Sequence, residues 1–342
     1  MTSLDKATAA TEVSPSVTAA PAMRAIVQDH YGSADALELR SVPRPTIAAD
    51  EVLVRVSAAG LSRATWHLMT GTPYAMRAAF GLRGPKQSVI GQDVAGTVVG
   101  IGADVERFAI GDEVFGVGRG TFAEYAAASP AKLTRKPANV SFVDAAAAPV
   151  PAITAMQAVR AAGIESGQRV LVSGAAGGVG SYLVQLAKAA GAEVTGVCST
   201  SKIPFVRQLG ADHVSDYTAG GFPSEGGPYD VILDVAGNPS LAQLRGALTP
   251  NGAAIIVGGE GAGEWLGMGR QLRALIISPF IRQRLVMLMG SQSTADLDEL
   301  ASLLADGTLS SRVDKTFPLE HAADAMRYFE SGEVRGKIVI TV

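Results

Sequence analysis

The chain has 342 residues, 47% hydrophobic and 18% charged, with a formal net charge of -3. That length holds two domains, each able to bury its own core, and the mild negative balance excludes an extended nucleic-acid surface. No uncharged apolar run is long enough to cross a bilayer, and a single cysteine, Cys198, excludes a disulfide framework or cysteine-rich metal cluster and points to a reducing, cytoplasmic setting.

Residues 1–20 are mostly Ala, Thr, Ser and Val with few charges, and they lack the basic start and apolar core of a secretory signal. They read as a flexible tail. Short strands separated by polar turns follow: Met23–Gln28, Leu37–Arg40, Val52–Ser57, Val94–Ile101, Asp112–Gly116, Phe122–Ala127 and Lys132–Lys136. Pro43, Pro45, Gly100, Gly102, Gly111 and Pro137 punctuate them, which predicts an all-β, barrel-like unit.

From Val143 the pattern changes to alternating helix and strand, with a helix over Ala155–Ala162 and then the segment around which the chain is organised. Val170–Val172 is a short apolar strand, and Leu183, Leu186, Ala187 and Ala190 recur at helical spacing until Gly191. Between them Gly174, Gly177 and Gly180, with Ala175, Gly178 and Val179, form a glycine turn of spacing G-x-x-G-x-x-G. Such a turn leaves room for a pyrophosphate against the free N–H groups of a helix start, although ordinary strand-to-helix turns also use glycine.

The next strand, Glu193–Cys198, arrives about 20 residues later, where a dinucleotide fold reads the ribose. It ends in Cys198-Ser199-Thr200-Ser201-Lys202, with no carboxylate to accept from a ribose 2′-hydroxyl. Hydroxyls and a lysine suit a 2′-phosphate, so the segment favours NADPH over NADH; the plain alternative is that Lys202 is a solvated surface residue. Later strands are expected at His213–Ser215, Asp230–Val235 and Ala253–Gly258, with helices near Lys202–Leu209 and Ser240–Leu248. This alternation predicts a parallel sheet covered on both faces. In such sheets ligands lie beyond the strand C-terminal ends, which adds Ala236, Gly237 and Gly258 to the cofactor candidates. The closing run, Lys315–Pro318, Glu320–Phe329 and Lys337–Val342, is expected to fold back onto the first domain.

Several segments together resemble the medium-chain dehydrogenase/reductases: Gly91-Gln92-Asp93-Val94-Ala95-Gly96, Gly111–Gly116, Phe122–Tyr125, the glycine turn, Leu209-Gly210-Ala211-Asp212 and Arg335–Ile340. Val197-Cys198-Ser199-Thr200, with Leu209–Val214 and Asp216-Tyr217, resembles the zinc-free quinone-oxidoreductase branch, including the reticulon-interacting mitochondrial oxidoreductases. The resemblance implies an α/β architecture in which a GroES-like β-barrel domain (21–144, completed by 286–342) is interrupted by a Rossmann doubly wound parallel-sheet domain (145–285). It implies NADPH as cofactor, with 2′-phosphate contacts on Ser199, Lys202 and Tyr217, and phosphate contacts on Thr154, Arg63 and Lys337. Relatives of this type often form homodimers.

By the same resemblance, the catalytic-zinc positions of the alcohol dehydrogenases fall on Ser62, Gln92 and Val150, none a good zinc ligand, so no metal is expected. Hydride delivered to a simple ketone leaves an alkoxide that needs a Lewis acid or proton donor. Delivered to a quinone or an enone β-carbon, it leaves a delocalised phenolate or enolate that a few hydrogen bonds can hold. The expected reaction is therefore NADPH-dependent reduction of a small hydrophobic quinone or α,β-unsaturated carbonyl. Ser62, His67 and Tyr74 are the candidate catalytic residues, each with a plain alternative as a turn serine, a packed histidine and a packing tyrosine. Where zinc-free relatives often carry Asn-Pro-x-Asp, this chain has Ser62-Arg63-Ala64-Thr65. The apolar segment 265–289 is expected to roof the substrate cleft, with Phe280 near the nicotinamide, and to continue into a buried strand able to pair with a second subunit. Two other readings stay open: an NADP-dependent alcohol dehydrogenase or carbonyl reductase, and a non-catalytic NADPH-binding sensor.

Overall fold

In the computed structural model, which describes residues 21–220, 222, 227–258, 273–274, 278, 281–288 and 290–342, two sheets meet along an alanine-rich seam. The polar-turn strands form the first. β1 (Ala22–Val27) and β2 (Glu38–Pro43) pair as an antiparallel ribbon. β3 (Val52–Leu61), β4 (Asp93–Ile101), β5 (Glu113–Val117), β6 (Tyr125–Ala128) and β7 (Leu133–Arg135) build the antiparallel barrel wall. Val52, Val54 and Val56 alternate inward, after which both faces of β3 are buried as it runs to the cleft.

The second sheet holds β8 (Arg169–Ser173), β9 (Glu193–Cys198), β10 (His213–Asp216), β11 (Tyr229–Asp234), β12 (Leu248–Ile256) and β13 (Arg284–Met287). Among the described residues its order is β10-β9-β8-β11-β12-β13 and every pairing is parallel. The order reverses direction between β8 and β11, the switch point at which such sheets open a crevice. Tyr182, Leu183 and Val184 of the helix Gly178–Ala189 are fully buried.

Chain return completes the barrel. β14 (Val313–Pro318) pairs in parallel with β15 (Lys337–Thr341), and β15 lies antiparallel on the end of β3, with Ile338 opposite Leu61. The seam between domains is built from Ala145, Ala146, Ala147 and Ala148, all fully buried. Small side chains allow the backbones to touch: a Cβ on Gly60 would lie 2.3 Å from the Ala146 carbonyl oxygen.

Most predicted strands differ from the observed ones by a few residues at their ends. The boundary at 285 needs correction, because all four residues of β13 pair with β12, and the parallel sheet extends through Met287. The helix Thr294–Ala305 was not anticipated; it straps the two domains together. Its Asp296 accepts from Arg160 and Gln157, and its Asp298 from Arg107 and Thr134. Residues 1–20 and Phe280 lie outside the described residues, as does most of the segment read as a cleft roof.

Candidate active site

A cavity of about 540 Å³ opens between the two sheets, within the range of small-molecule sites. Its floor is the glycine turn. Gly174 adopts φ +67°, and a Cβ there would crowd the Ala236 backbone nitrogen at 3.3 Å. Gly180 packs so closely on this turn that a Cβ would lie 2.1 Å from the Gly174 carbonyl oxygen. Gly177 caps the helix Gly178–Ala189 without a side-chain bond, so the first-turn N–H groups face the cavity beside Gly174, Gly178 and Val179. The turn is thus shaped to take an anion. Ala175 and Gly180 support it from below rather than lining the cavity.

Ser199, Lys202 and Tyr217 line the same cavity. Lys202 Nζ donates to the carbonyls of Gly332 (2.6 Å) and Val334 (2.8 Å), and its partial burial holds it below the usual lysine range. An ammonium carries three hydrogens, so one donor remains. Thr200 does not line the cavity; its hydroxyl donates to Asp216, at the end of the neighbouring strand β10, and lies 3.0 Å from the Thr218 hydroxyl, which donates to the same carboxylate. Those hydrogen bonds from Thr200 and Thr218 hold the Asp216 carboxyl below its ordinary range. The strand β9 itself carries no carboxylate at its end, but β10 brings one alongside, which inspection of β9 alone did not reveal.

From the barrel side the lining is Leu61, Ser62, Arg63, Ala64, Lys337 and Ile338, with Val150 beside them. Ser62 caps the helix Arg63–Thr70: its Oγ accepts from Thr65 N at 3.4 Å and is 3.3 Å from Thr65 Oγ1. If the threonine hydroxyl donates in that pair, the Ser62 hydrogen is directed elsewhere, so this serine serves both as a helix cap and as a hydroxyl at the cavity wall. The Arg63 guanidinium lies over Phe329 (4.8 Å) and Trp66 (5.0 Å), a stacked position at the rim. Lys337 is only 3% exposed.

Five of the remaining sequence candidates stand away from the lining. His67 Nδ1 donates to the Thr72 carbonyl at 2.6 Å, beside the Trp66 ring, and Tyr74 packs under the Arg77 guanidinium at 4.6 Å. Thr154 spends its hydroxyl on the Val150 carbonyl one turn earlier, at 2.7 Å. Gly237, at φ +73°, donates to Asp234 Oδ1. Gly258 is a packing glycine: a Cβ there would overlap the Val235 carbonyl oxygen at 1.8 Å.

Sequence reasoning missed two buried acids. Asp234, at the end of β11, accepts from Ser173 Oγ at 2.5 Å. Asp93, beside Gln92, accepts from Val150 N at 2.9 Å, and its Oδ2 lies 3.9 Å from Lys337 Nζ. Burial pushes the Asp93 carboxyl up to about 6, against the opposing pull of Lys337 and the Val150 N–H. Burial likewise lowers Lys337, and Asp93 resists that. The available signal was the quoted motif Gly91-Gln92-Asp93, an acid within a strand that is otherwise buried.

A parallel sheet with a glycine turn at its switch point, facing a β-barrel across a cleft, defines a dinucleotide-dependent oxidoreductase architecture. Residues 48–138 match the alcohol dehydrogenase GroES-like domain, and residues 209–340 match the zinc-binding dehydrogenase family. The chain is 32% identical to the mitochondrial NAD(P)H oxidoreductase RTN4IP1 of Bos taurus, over 94% of this chain and 89% of that protein. It is 30% identical to the chloroplastic NADPH-dependent alkenal/one oxidoreductase of Arabidopsis thaliana, over 99% and 84%. The solved quinone oxidoreductase of Coxiella burnetii superposes with a TM-score of 0.84 at 28% identity, covering 94% of this chain and all of that one. The chain belongs to the medium-chain dehydrogenase/reductase superfamily, among relatives of the quinone-oxidoreductase type.

The zinc of the wider family does not fit these residues. Val150 offers no donor side chain, Ser62 is bonded to Thr65, and among the described residues no three His, Cys, Asp or Glu side chains are grouped to hold a metal ion. A nicotinamide dinucleotide does fit, given the glycine turn, the open helix start and the lysines at 202 and 337. No described helix is long and apolar enough to cross a membrane.

Proposed function

We propose that this protein reduces quinones or α,β-unsaturated carbonyl compounds with NADPH and without zinc. The observation that carries the reading is one cavity joining the anion-ready glycine turn to a wall whose zinc positions hold Ser62 and Val150. The bound cofactor supplies hydride. The chain supplies placement: the glycine turn and the helix start at Gly178 take the phosphates, and Ser199, Lys202 and Tyr217 take the 2′-phosphate. The Ser62 hydroxyl donates to the acceptor oxygen, as a conjugated product anion requires only hydrogen bonds and not a Lewis acid. His67 and Tyr74, engaged with Thr72 and Arg77, hold the helix Arg63–Thr70 and its following turn in place rather than transferring a proton.

The preference for NADPH rests on the Ser199, Lys202 and Tyr217 grouping, and the relative named for NADPH-dependent alkenal/one reduction supports it. Arg63 and Ala236 line the cofactor site, and Thr154, Gly237 and Gly258 support it from outside the lining. We further propose a cytoplasmic homodimer joined at β13, one of the two edge strands of the parallel sheet among the described residues; sedimentation of wild type against Val286→Asp tests the dimer, and cell fractionation tests the location.

The deciding assay follows NADPH oxidation with 1,4-benzoquinone, 2-cyclohexenone, a long-chain 2-enal and a simple ketone, with and without chelator. Chelator-insensitive turnover of the conjugated acceptors alone supports the proposal. Chelator-sensitive ketone reduction replaces it with a carbonyl reductase, and NADPH binding without turnover replaces it with a sensor. In Lys202→Ala, kcat/KM is expected to fall about tenfold with NADPH and little with NADH.

A further inference from the structure

We propose that Asp93 is a positioning residue for Lys337, fixing its ammonium beside the start of the helix Gly178–Ala189 as the cation that meets the cofactor's pyrophosphate. This rests on the reading of the cavity as a nicotinamide dinucleotide site.

Asp93 is fully buried and Lys337 is 3% exposed, on strands from opposite ends of the chain. A buried ion pair is a poor stabiliser compared with two apolar side chains, so its presence calls for another role. The pair is also incomplete. Asp93 Oδ1 accepts from Val150 N, whereas Oδ2 is buried without a hydrogen-bond partner, 3.9 Å from Lys337 Nζ. Nζ donates to the Leu61 carbonyl at 2.5 Å, which uses one of its three hydrogens. Leu61 and Asp93 therefore hold the ammonium from the barrel side, while Lys337 also lines the cavity. Its stem passes over Gly178, where a Cβ would lie 3.0 Å from Lys337 Cδ. The lysine charge and the positive end of the helix consequently face the same place, and an anion there is met by both.

Asp93 is itself fixed. Its Cβ lies 2.9 Å from where a Gly60 Cβ would be, and Val150 N anchors its other oxygen, so it has little room to follow a displaced lysine.

The test is a double-mutant cycle on NADPH affinity, read by fluorescence titration of the full chain, with thermal unfolding of each variant in parallel. Asn keeps an oxygen for Val150 N, so Asp93→Asn removes the charge and preserves the anchor. Lys337→Met is expected to weaken NADPH about tenfold, and Asp93→Asn severalfold. In the Lys337→Met background, Asp93→Asn is expected to cost nothing further. If Asp93→Asn does not fold, Asp93→Ser, smaller and likewise uncharged, takes its place in the cycle with the same criterion. An unchanged Kd, or an equal loss in both backgrounds, overturns the positioning role and leaves the site reading intact. Wild type that binds neither NADPH nor NADH overturns the site reading itself.

Discussion

Ser173 Oγ donates to Asp234 Oδ1 at 2.5 Å across the adjoining parallel strands β8 and β11, and the same hydroxyl accepts from the backbone nitrogens of Val235 (3.0 Å) and Ala236 (3.2 Å). One side chain thus ties together the two strand ends at the switch point of the sheet. Ser173→Ala removes a donor from a fully buried carboxylate and an acceptor from the Ala236 loop. The expected cost is about 2 kcal/mol, a fall in Tm of roughly 3 °C for a chain of this size. NADPH affinity is expected to drop with it, because Ala236 lines the cavity. Calorimetry and titration check both, and an unaltered Tm would show that the tie is dispensable.

Two glycines two positions apart, Gly178 and Gly180, separate binding from folding. A Cβ at Gly178 meets the flexible stem of Lys337 at 3.0 Å and the Gly336 carbonyl oxygen at an ordinary contact distance of 3.7 Å, whereas one at Gly180 meets the Gly174 backbone oxygen at 2.1 Å. Gly178→Ala is expected to fold with nearly wild-type Tm and to bind NADPH several times more weakly. Gly180→Ala forces backbone apart and is expected to lose about 3 kcal/mol of stability. Circular dichroism melts alongside NADPH titrations distinguish the two; equal losses of stability would contradict the packing argument.

The Asp93 carboxyl sets a pH dependence of stability. Its folded pKa is raised by burial to about 6 from 3.8, so between those values the folded state holds more protons than the unfolded one. Stability from this group is therefore present at low pH and declines as pH rises toward 6, by about 3 kcal/mol in full. The groups facing it are Lys337 and the Tyr182 phenol, the latter bonded to Ser311 at 2.8 Å. The Tm of Asp93→Asn relative to wild type is expected to rise between pH 4.5 and pH 7. A difference that stays flat would mean the carboxyl does not titrate there.

Cys198 lines the cavity yet is 3% exposed, and burial, with Asp216 nearby, pushes its thiol up to about 11. Only a small fraction is thiolate near neutrality, which protects an enzyme handling electrophilic acceptors from alkylating itself. N-ethylmaleimide at pH 7 is expected to leave the native protein unlabelled for hours and to label it rapidly in guanidinium. Fast native labelling, followed by mass spectrometry, would contradict the burial argument.

Local signals in the sequence determined the strand-turn-helix of residues 169–189, the change from barrel strands to alternating helix and strand, and the absence of zinc-ligand side chains at Ser62, Gln92 and Val150. These features depend on periodicity, turn chemistry and residue type, all of which neighbouring positions report. Only the tertiary structure decided that Asp93 faces Lys337, that Ser173 reaches Asp234, that Thr200 turns to Asp216, and that His67 and Tyr74 point away from the cavity. Each of those outcomes depends on the register in which distant strands pair and on which polar groups burial forces to find partners, and neither is written in the spacing of residues along the chain.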